Sequence, residues 1–173
     1  MNKISPFFWF DFQAEDAAMF YVDLFNGNPG RKKRSKIGAV LRYDKNAAKA
    51  SGQPEGSVLT IAFTLEGQDF TALNGGKPEG FETNLTNAIS FVVECKTQKE
   101  IDYFWDKLGD SGETGQCGWI NHDKFGITWQ IVPSSLSKYI GGKDPKGAAR
   151  AMQAMLGMTK FDIAELKKAY LGK

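Results

Sequence analysis

The chain has little of what metal and redox centres require. It contains one histidine and two cysteines, Cys95 and Cys117, among 173 residues. Two cysteines are too few for a disulfide framework, and neither belongs to a Cys-x-x-Cys pair, which leaves a zinc knuckle or a dithiol redox centre without support. Two reduced thiols are expected instead.

Long apolar runs and a strong net charge are also missing. No stretch approaches the roughly 18 apolar residues of a membrane span, and the N-terminal "MNKISPFFWFDF" lacks the apolar core of a signal peptide. We therefore expect a cytoplasmic protein with no membrane partner. The 22 basic and 20 acidic side chains nearly balance, so no broad field attracts nucleic acid. Only "RKKRSK", residues 31–36, is strongly basic, and this segment either meets a phosphate or carboxylate or forms a solvated loop.

What is present is ample apolar material arranged in two similar halves. Hydrophobic residues make up 42% of the chain and aromatic residues 13%, which is enough for a real core. In the first half, "ISPFFWFDF" favours a strand and the apolar stripe from Ala14 favours a helix. A further strand, "IGAVLRYD", and a hairpin around Glu66-Gly67 follow. The first half is thus predicted to be β-α-β-β-β.

The second half repeats this order. "AISFVVEC", residues 88–95, is predicted to be a strand, and Thr97 and Glu100 have the spacing of a capping box before a helix. "GQCGWINHDKFGITWQIVP", residues 115–133, predicts two strands around a turn near Phe125-Gly126. A shift of 84 positions superposes the two helical stripes, which indicates a duplicated βαβββ unit. Beyond Pro133 the pattern predicts two short amphipathic helices separated near Gly157.

These motifs resemble a known superfamily. The paired βαβββ modules, "FY" in the first helix and "DKFGITWQIV" resemble the vicinal oxygen chelate superfamily, which includes glyoxalase I, extradiol dioxygenases and bleomycin-resistance proteins. "ALNGG", "GQCGW" and the tail "AMQAMLGMTKFDIAEL" are similar to its PhnB-like branch, often labelled 3-demethylubiquinone-9 3-methyltransferase.

The resemblance implies a fold and an assembly. The fold is a glyoxalase-like α+β domain over residues 1–173, in which two modules with curled mixed sheets, about 1–80 and about 86–133, precede a helical tail of about 134–173. The two half-shells are expected to enclose a cavity. The assembly implied is a homodimer, with the modules paired within one chain or across subunits.

The resemblance also tests for a metal. Metal-dependent relatives place four ligands at positions that match Pro6, Thr71 or Ala72, a residue within 88–90, and Gln130. Only Gln130 carries a suitable oxygen, and one amide cannot hold a divalent transition metal. We therefore expect no metal and no cofactor. The methyltransferase label is not supported by the residues either, because no Gly-rich turn follows a first strand as in the usual S-adenosylmethionine fold.

The candidate site is a mainly apolar pocket with a few polar anchors. Alternation along the first strand is expected to turn Phe8 and Phe10 toward the cavity and Phe7 and Trp9 toward the helix. Gln130 is expected to face the cavity and Trp129 the helix. The candidate ligand-binding residues are Phe8, Phe10, Asn74, Ser90, Gln116, Cys117, Trp119 and Gln130.

Two residues could carry chemistry but have simpler interpretations. His122 is placed in the hairpin turn, where polar residues are solvated, and Cys117 on a strand between small residues without a base or cation nearby. No catalytic residue is assigned.

Three hypotheses follow. The first is metal-free binding of a small, largely apolar or aromatic molecule. The second is an enzyme (a lyase, isomerase or dioxygenase), and the third is an interaction module whose cavity is filled by its own side chains.

Overall fold

The computed structural model describes residues 4–77 and 87–173. The chain divides into two compact units, residues 1–84 and 85–173, which are described here one at a time. The predicted boundary between the modules, residues 80–86, lies outside the described residues. The predicted α+β fold of two βαβββ modules followed by C-terminal helices is confirmed.

Unit 1 is a four-stranded mixed sheet with a helix on one face. Its elements are β1 (Phe7–Phe10), α1 (Ala14–Gly27), β2 (Lys36–Arg42), α2 (Lys45–Ser51), β3 (Val58–Leu65) and β4 (Gln68–Asn74). The strand order is β1-β4-β3-β2. β1 runs parallel to β4, whereas the other two pairs are antiparallel. The predicted hairpin turn is present, and both Glu66 (φ 47°) and Gly67 (φ 98°) adopt the left-handed conformation of a tight turn.

Helix α1 packs its apolar stripe on this sheet. Tyr21 is fully buried and lies against Phe8 and Phe63, with ring centroids 6.5 Å from each. Phe63 and Phe70 stack at 5.3 Å. Because each aromatic ring removes a large apolar area from water, this cluster stabilises unit 1.

The short helix α2 was not predicted. Asp44 caps it by accepting hydrogen bonds from the backbone N–H groups of Asn46 and Ala47, and Gly52 ends it with a left-handed φ of 75°. An aspartate before an alanine-rich stretch is a recognised helix start, but seven residues are too few to show an apolar stripe.

Unit 2 repeats the topology of unit 1. Its elements are β5 (Phe91–Cys95), α3 (Gln98–Gly109), β6 (Glu113–Thr114), β7 (Trp119–Asn121) and β8 (Trp129–Pro133). The strand order β5-β8-β7-β6 corresponds position by position to that of the first sheet. The predicted capping box is confirmed, since Thr97 accepts from the Glu100 N–H and the Glu100 side chain accepts from the Thr97 N–H.

The shift of 84 that superposes the two helical stripes is reflected only in part in their burial. It pairs Leu24 with Leu108, which are both buried. Trp105, which the shift of 84 pairs with Tyr21, is only half-buried.

The chain ends in three helices that belong to unit 2: α4 (Leu136–Ile140), α5 (Pro145–Leu156) and α6 (Ile163–Leu171). The last two confirm the prediction of two helices separated near Gly157, and α4 is an additional short one. We refer to residues 134–173 as the C-terminal tail. Across residues 4–77 and 87–173, the helices are all too short or too polar to cross a bilayer.

Candidate functional site

Each sheet has one face packed on its helix and one face that its own unit leaves uncovered. In β1, Phe8 is 6% exposed whereas Phe7 is 58% exposed, and in β5, Val93 is 8% exposed whereas Val92 is 54% exposed. We call the uncovered faces the open faces. The open face of unit 2 carries Ser90, Val92, Trp119 and Gln130.

The predicted orientation of β1 is wrong. Phe8 and Phe10 lie on the helix side, where Phe8 contacts Tyr21 of α1, and the open face instead presents Phe7 and Trp9. Alternation along a strand fixes which residues share a face but not which face is covered. Any ligand role of Phe8 and Phe10 would therefore require a path through the core.

Asn74 also lies on the helix side and has a structural role. Its side chain is 3% exposed; Oδ1 accepts from the Ala14 N–H at 2.8 Å and Nδ2 donates to the Val58 carbonyl at 3.0 Å. It therefore satisfies one of the unpaired donors at the start of α1, while the Gln13 side chain provides no cap.

Ser90 and Gln130 form the polar centre of the open face of unit 2. Gln130 Nε2 donates to Ser90 Oγ at 2.8 Å. The parallel register places Val92 beside Gln130 on one side, and the antiparallel register places Trp119 beside it on the other. As predicted, Trp129 points the opposite way and is 1% exposed. Three predicted residues, Ser90, Trp119 and Gln130, are thus brought together.

This arrangement leaves hydrogen-bonding capacity toward the open side. Within residues 4–77 and 87–173, no hydrogen bond to Gln130 Oε1 is formed. A serine hydroxyl that accepts one hydrogen bond can still donate its own proton. The pair therefore offers an acceptor and a donor between a valine and an indole.

Gln116 and Cys117 lie in a turn and not on a strand as predicted. Gln116 is exposed and its carbonyl accepts from the Trp119 N–H at 3.3 Å. Cys117 has φ 57° and Gly118 φ 78°, so both adopt the left-handed conformation that ends β6 and starts β7. The Cys117 thiol is half-buried and points toward the Met155 carbonyl, 3.6 Å away.

The turn around His122 is organised by its neighbour, whose importance the sequence did not reveal. His122 is exposed with φ 52°. Asp123 is 4% exposed; its Oδ1 accepts from the N–H groups of Phe125 and Ile127, and its Oδ2 accepts from the Trp129 indole at 2.9 Å. The predicted turn near Phe125-Gly126 is confirmed, and the Gly126 N–H bonds to the Asp123 carbonyl.

On the open face of unit 1, Trp9 was missed as a candidate. Its indole donates to the Gly76 carbonyl at 2.9 Å and lies so close to Gly75 that a β-carbon there would be 2.2 Å from the ring. In the "NGG" sequence at residues 74–76, the asparagine therefore caps α1 and the first glycine leaves room for the Trp9 indole. The only sequence signal for this contact is a tryptophan at position 9 and two consecutive glycines at positions 75 and 76. Residues this far apart in sequence do not by themselves predict that they touch.

Two of the positions matched from the sequence to metal ligands lie opposite apolar residues of the neighbouring strand. Thr71 pairs with Phe7, and Gln130 pairs with Val92. Among the residues that the structure describes, no three His, Cys, Asp or Glu side chains converge as a metal site would require. Burial, reinforced by the nearby Glu100 charge, raises the pKa of the Cys95 thiol from 9.0 to about 12, which makes it a poor nucleophile at neutral pH.

The basic segment 31–36 belongs to a loop held by uncharged groups. The Asn26 side chain bonds both the N–H and the carbonyl of buried Ser35, each at 3.0 Å. Arg31 donates to the Asn26 carbonyl at 2.9 Å. The cationic side chains themselves are exposed, as the interpretation of a solvated loop requires.

A shallow depression of about 310 Å³ lies at the end of α3. It is lined by Trp105, Asp106, Gly109, Asp110 and Thr114. None of the predicted ligand-binding residues is among them.

The duplicated βαβββ topology, in which each unit pairs a four-stranded mixed sheet with a helix, defines a two-module protein of the α+β class. Comparison with known sequences specifies the family. The model of the 3-demethylubiquinone-9 3-methyltransferase family matches residues 2–132, and the chain belongs to this PhnB-like family.

Solved structures agree with this assignment. The PhnB protein from Bacillus cereus is 33% identical, with a TM-score of 0.63 over 77% of this chain and 100% of its own. Protein PA1353 from Pseudomonas aeruginosa has a similar fold, with 14% identity and a TM-score of 0.55 over 77% of this chain and 98% of its own. A search of curated proteins gave no match.

Proposed function

We propose that the protein binds a small, largely aromatic molecule that carries a hydroxyl or carbonyl group, with the Ser90–Gln130 pair as its polar anchor. The observation that carries this proposal is the hydrogen-bonded pair between Val92 and Trp119 on the open face of unit 2. Apolar walls with a few placed polar groups are typical of small-molecule sites.

The contacts define the class of ligand. The Trp119 indole offers an aromatic surface beside Gln130, and stacking on such a surface contributes about 0.5–1.5 kcal/mol beyond the area buried. The amide oxygen of Gln130 accepts a ligand O–H or N–H, and the Ser90 hydroxyl donates to a ligand oxygen. A planar phenol-like molecule satisfies all three groups at once.

The proposal favours binding over the methyl transfer named in the family's description. The connections between strand and helix, residues 11–13 in unit 1 and 96–97 in unit 2, contain no glycine. The usual methyltransferase fold places a Gly-rich turn at this point against the cofactor. Calorimetric titration with S-adenosylmethionine is the direct test, and micromolar binding would contradict this part of the proposal.

The test of the anchor uses 1-naphthol as the probe and 1-methoxynaphthalene, which lacks the O–H donor, as its matched partner. We expect wild-type protein to bind 1-naphthol more tightly. Gln130→Met keeps the length of the side chain but removes its hydrogen bonds, each of which contributes about 1 kcal/mol, or roughly fivefold in affinity. The preference for 1-naphthol should then disappear.

The control for this substitution is Gln68→Met, which changes an exposed glutamine at the start of β4. It should leave the preference intact. Equal affinity of wild-type protein for the two probes, or a preference that survives Gln130→Met, would overturn the proposal.

The homodimer implied by the family resemblance remains a prediction. Light scattering coupled to size exclusion is expected to give twice the chain mass of 19.1 kDa. A mass of one chain at micromolar concentration would contradict it.

A further inference from the structure

The turn formed by residues 116–119 holds an unfavourable backbone conformation beside the candidate ligand site. Cys117 has a positive φ of 57°, which is unfavourable for a non-glycine residue unless surrounding contacts stabilise it. The next residue but one is Trp119, which stands beside Gln130 on the open face. The contacts that stabilise this turn therefore also determine the backbone position from which the Trp119 side chain projects.

The C-terminal tail and β8 together hold this turn, since the Gly118 carbonyl also accepts from the Ile131 N–H at 2.8 Å. The Cys117 N–H donates to the Met158 carbonyl at 2.7 Å and the Gly118 N–H to the Thr159 carbonyl at 2.8 Å. Buried Phe161 lies against Gly118, where a β-carbon would come within 2.8 Å of the ring. The tail thus contributes two consecutive backbone hydrogen bonds and one ring contact to this turn.

The same stretch of tail is also bonded to α3. Gln98 donates to the Phe161 carbonyl and accepts from the Ile163 N–H, both at 3.0 Å. Lys160 pairs with Asp102 at 2.8 Å. The hydrogen bond from Lys160 lowers the pKa of Asp102, and the same bond raises the pKa of Lys160. Residues 158–163 are therefore held between the helix and the turn.

The tail lies beyond the residues that the family model matches. The model ends at residue 132, whereas the tail begins at residue 134. We propose that the C-terminal tail is a clamp that holds the turn at residues 116–119 and thereby positions Trp119 for ligand binding. Trp119 contacts the ligand, while Phe161 and Gln98 act as positioning residues.

The clamp implies a coupling between tail and ligand, and this part rests on the proposed function. If the docked tail favours the orientation of Trp119 that the ligand needs, bound ligand must favour tail docking by the same factor. Tail variants should then weaken 1-naphthol binding, although none of the tail residues named here is on the open face.

The position of Trp119 can be measured without any ligand. Full-length protein labelled with 5-fluorotryptophan contains four indoles, whose ¹⁹F resonances are assigned by single Trp→Phe replacements. Phe161→Ala removes the ring behind Gly118, and Gln98→Ala removes two hydrogen bonds to the tail without altering the turn or a core side chain. Both should shift or broaden the Trp119 resonance and leave that of Trp9, in unit 1, unchanged.

The matched control is Gln53→Ala, which removes the hydrogen bond from the Gln53 side-chain amide to the Asp11 carbonyl in unit 1. This substitution should not move the Trp119 resonance. We also expect 1-naphthol affinity to fall about fivefold or more in the tail variants, the lower range of measured couplings. If Phe161→Ala does not fold, Gln98→Ala carries the test alone.

The outcomes separate the two proposals. A Trp119 resonance that is unchanged in Gln98→Ala and in folded Phe161→Ala overturns the clamp, whatever happens to stability. A resonance that moves while 1-naphthol binds neither wild-type protein nor variants supports the clamp and refutes the proposed function. A moved resonance with unchanged 1-naphthol affinity overturns the ligand coupling.

Discussion

Removal of the Asp123 carboxylate should destabilise unit 2 more than any other polar change in the β7–β8 connection. Asp123→Ala leaves three donors without their acceptor: the N–H groups of Phe125 and Ile127 and the indole N–H of Trp129. Ile127 and Trp129 are 2% and 1% exposed. Water cannot readily replace the carboxylate at these two donors, whereas half-buried Phe125 is more accessible.

The magnitude follows from the number of donors left buried. An unsatisfied buried donor costs about 1–3 kcal/mol, so the two together cost about 2–6 kcal/mol of unfolding free energy. Asp123→Asn retains one carbonyl oxygen that can accept from the backbone donors. It should lose only the hydrogen bond from the Trp129 indole, which costs about 1–3 kcal/mol of unfolding free energy. Domains of this size are stable by about 5–15 kcal/mol, so the alanine variant would be seriously weakened.

The assay combines urea unfolding with hydrogen exchange of the Trp129 indole. Circular dichroism gives the free energy of unfolding, and the indole N–H should exchange faster in Asp123→Ala than in wild-type protein. The control is Lys124→Ala, which changes an exposed neighbour whose ammonium lies 5.0 Å from the Phe125 ring and should cost less than about 1 kcal/mol. A loss below about 1 kcal/mol in Asp123→Ala, with the indole still protected, would refute the reasoning.

Three further predictions address packing, thiol reactivity and an ion pair. Gly75→Ala places a methyl group 2.2 Å from the indole that packs on this glycine, so we expect a loss of about 1–3 kcal/mol in urea unfolding; unchanged stability would contradict the close contact. Because burial raises the pKa of Cys95 to about 12, the thiol reagent DTNB at pH 8 should label Cys117 first and Cys95 only after unfolding, and two equally fast thiols would argue against this. The Asp102–Lys160 pair is partly exposed and should show a coupling of about 0.2–1 kcal/mol at pH 7 in a double-mutant cycle. Since the folded-state pKa of Asp102 is lowered from 3.8, this coupling is present above pH 3.8 and lost as the pH falls through the lowered value; a coupling that persists at pH 2 would exclude the ion pair as its source.

The architecture could be predicted because several local signals agree. The capping box at Thr97 and Glu100, the stripe of α1 and the turn at Glu66-Gly67 each mark an element boundary through chemistry within a few residues. The duplication then supplied the order of elements along the chain, since one βαβββ pattern explains both halves. These are short-range features, and the sequence displays them directly.

The faces of β1 could not be predicted in the same way. "FFWF" is apolar at every position, so alternation gives two possible phases and composition does not choose between them. The choice is made by Tyr21, which packs on Phe8 from α1. In β8 the predicted orientation was right, because the polar side chain of Gln130 distinguishes the two faces of the strand. Once Gln130 faces away from the helix, alternation places Trp129 toward it.

The structural roles of Asn74 and Cys117 escaped prediction for a different reason. Asn74 caps a helix whose first residue lies 60 positions away, and the conformation of Cys117 is supported by carbonyl groups of Met158 and Thr159. Both roles depend on partners that are distant in sequence. The partners of Asp123 are close in sequence, but the sequence still did not reveal its role. An aspartate in a polar turn gives the same sequence pattern whether it is solvated or accepts hydrogen bonds from buried groups.

The parallel pairing of first and last strands bears on how the chain acquires its structure during synthesis. β1 lies at the edge of its sheet with β4 as its neighbour, and β5 lies likewise beside β8. Each opening strand must therefore wait until the last strand of its sheet leaves the ribosome, and such long-range closure is slow. Until Asn74 emerges, the aromatic segment Phe7–Phe10 has no docking place in its sheet, which makes it a natural target for chaperones on the nascent chain.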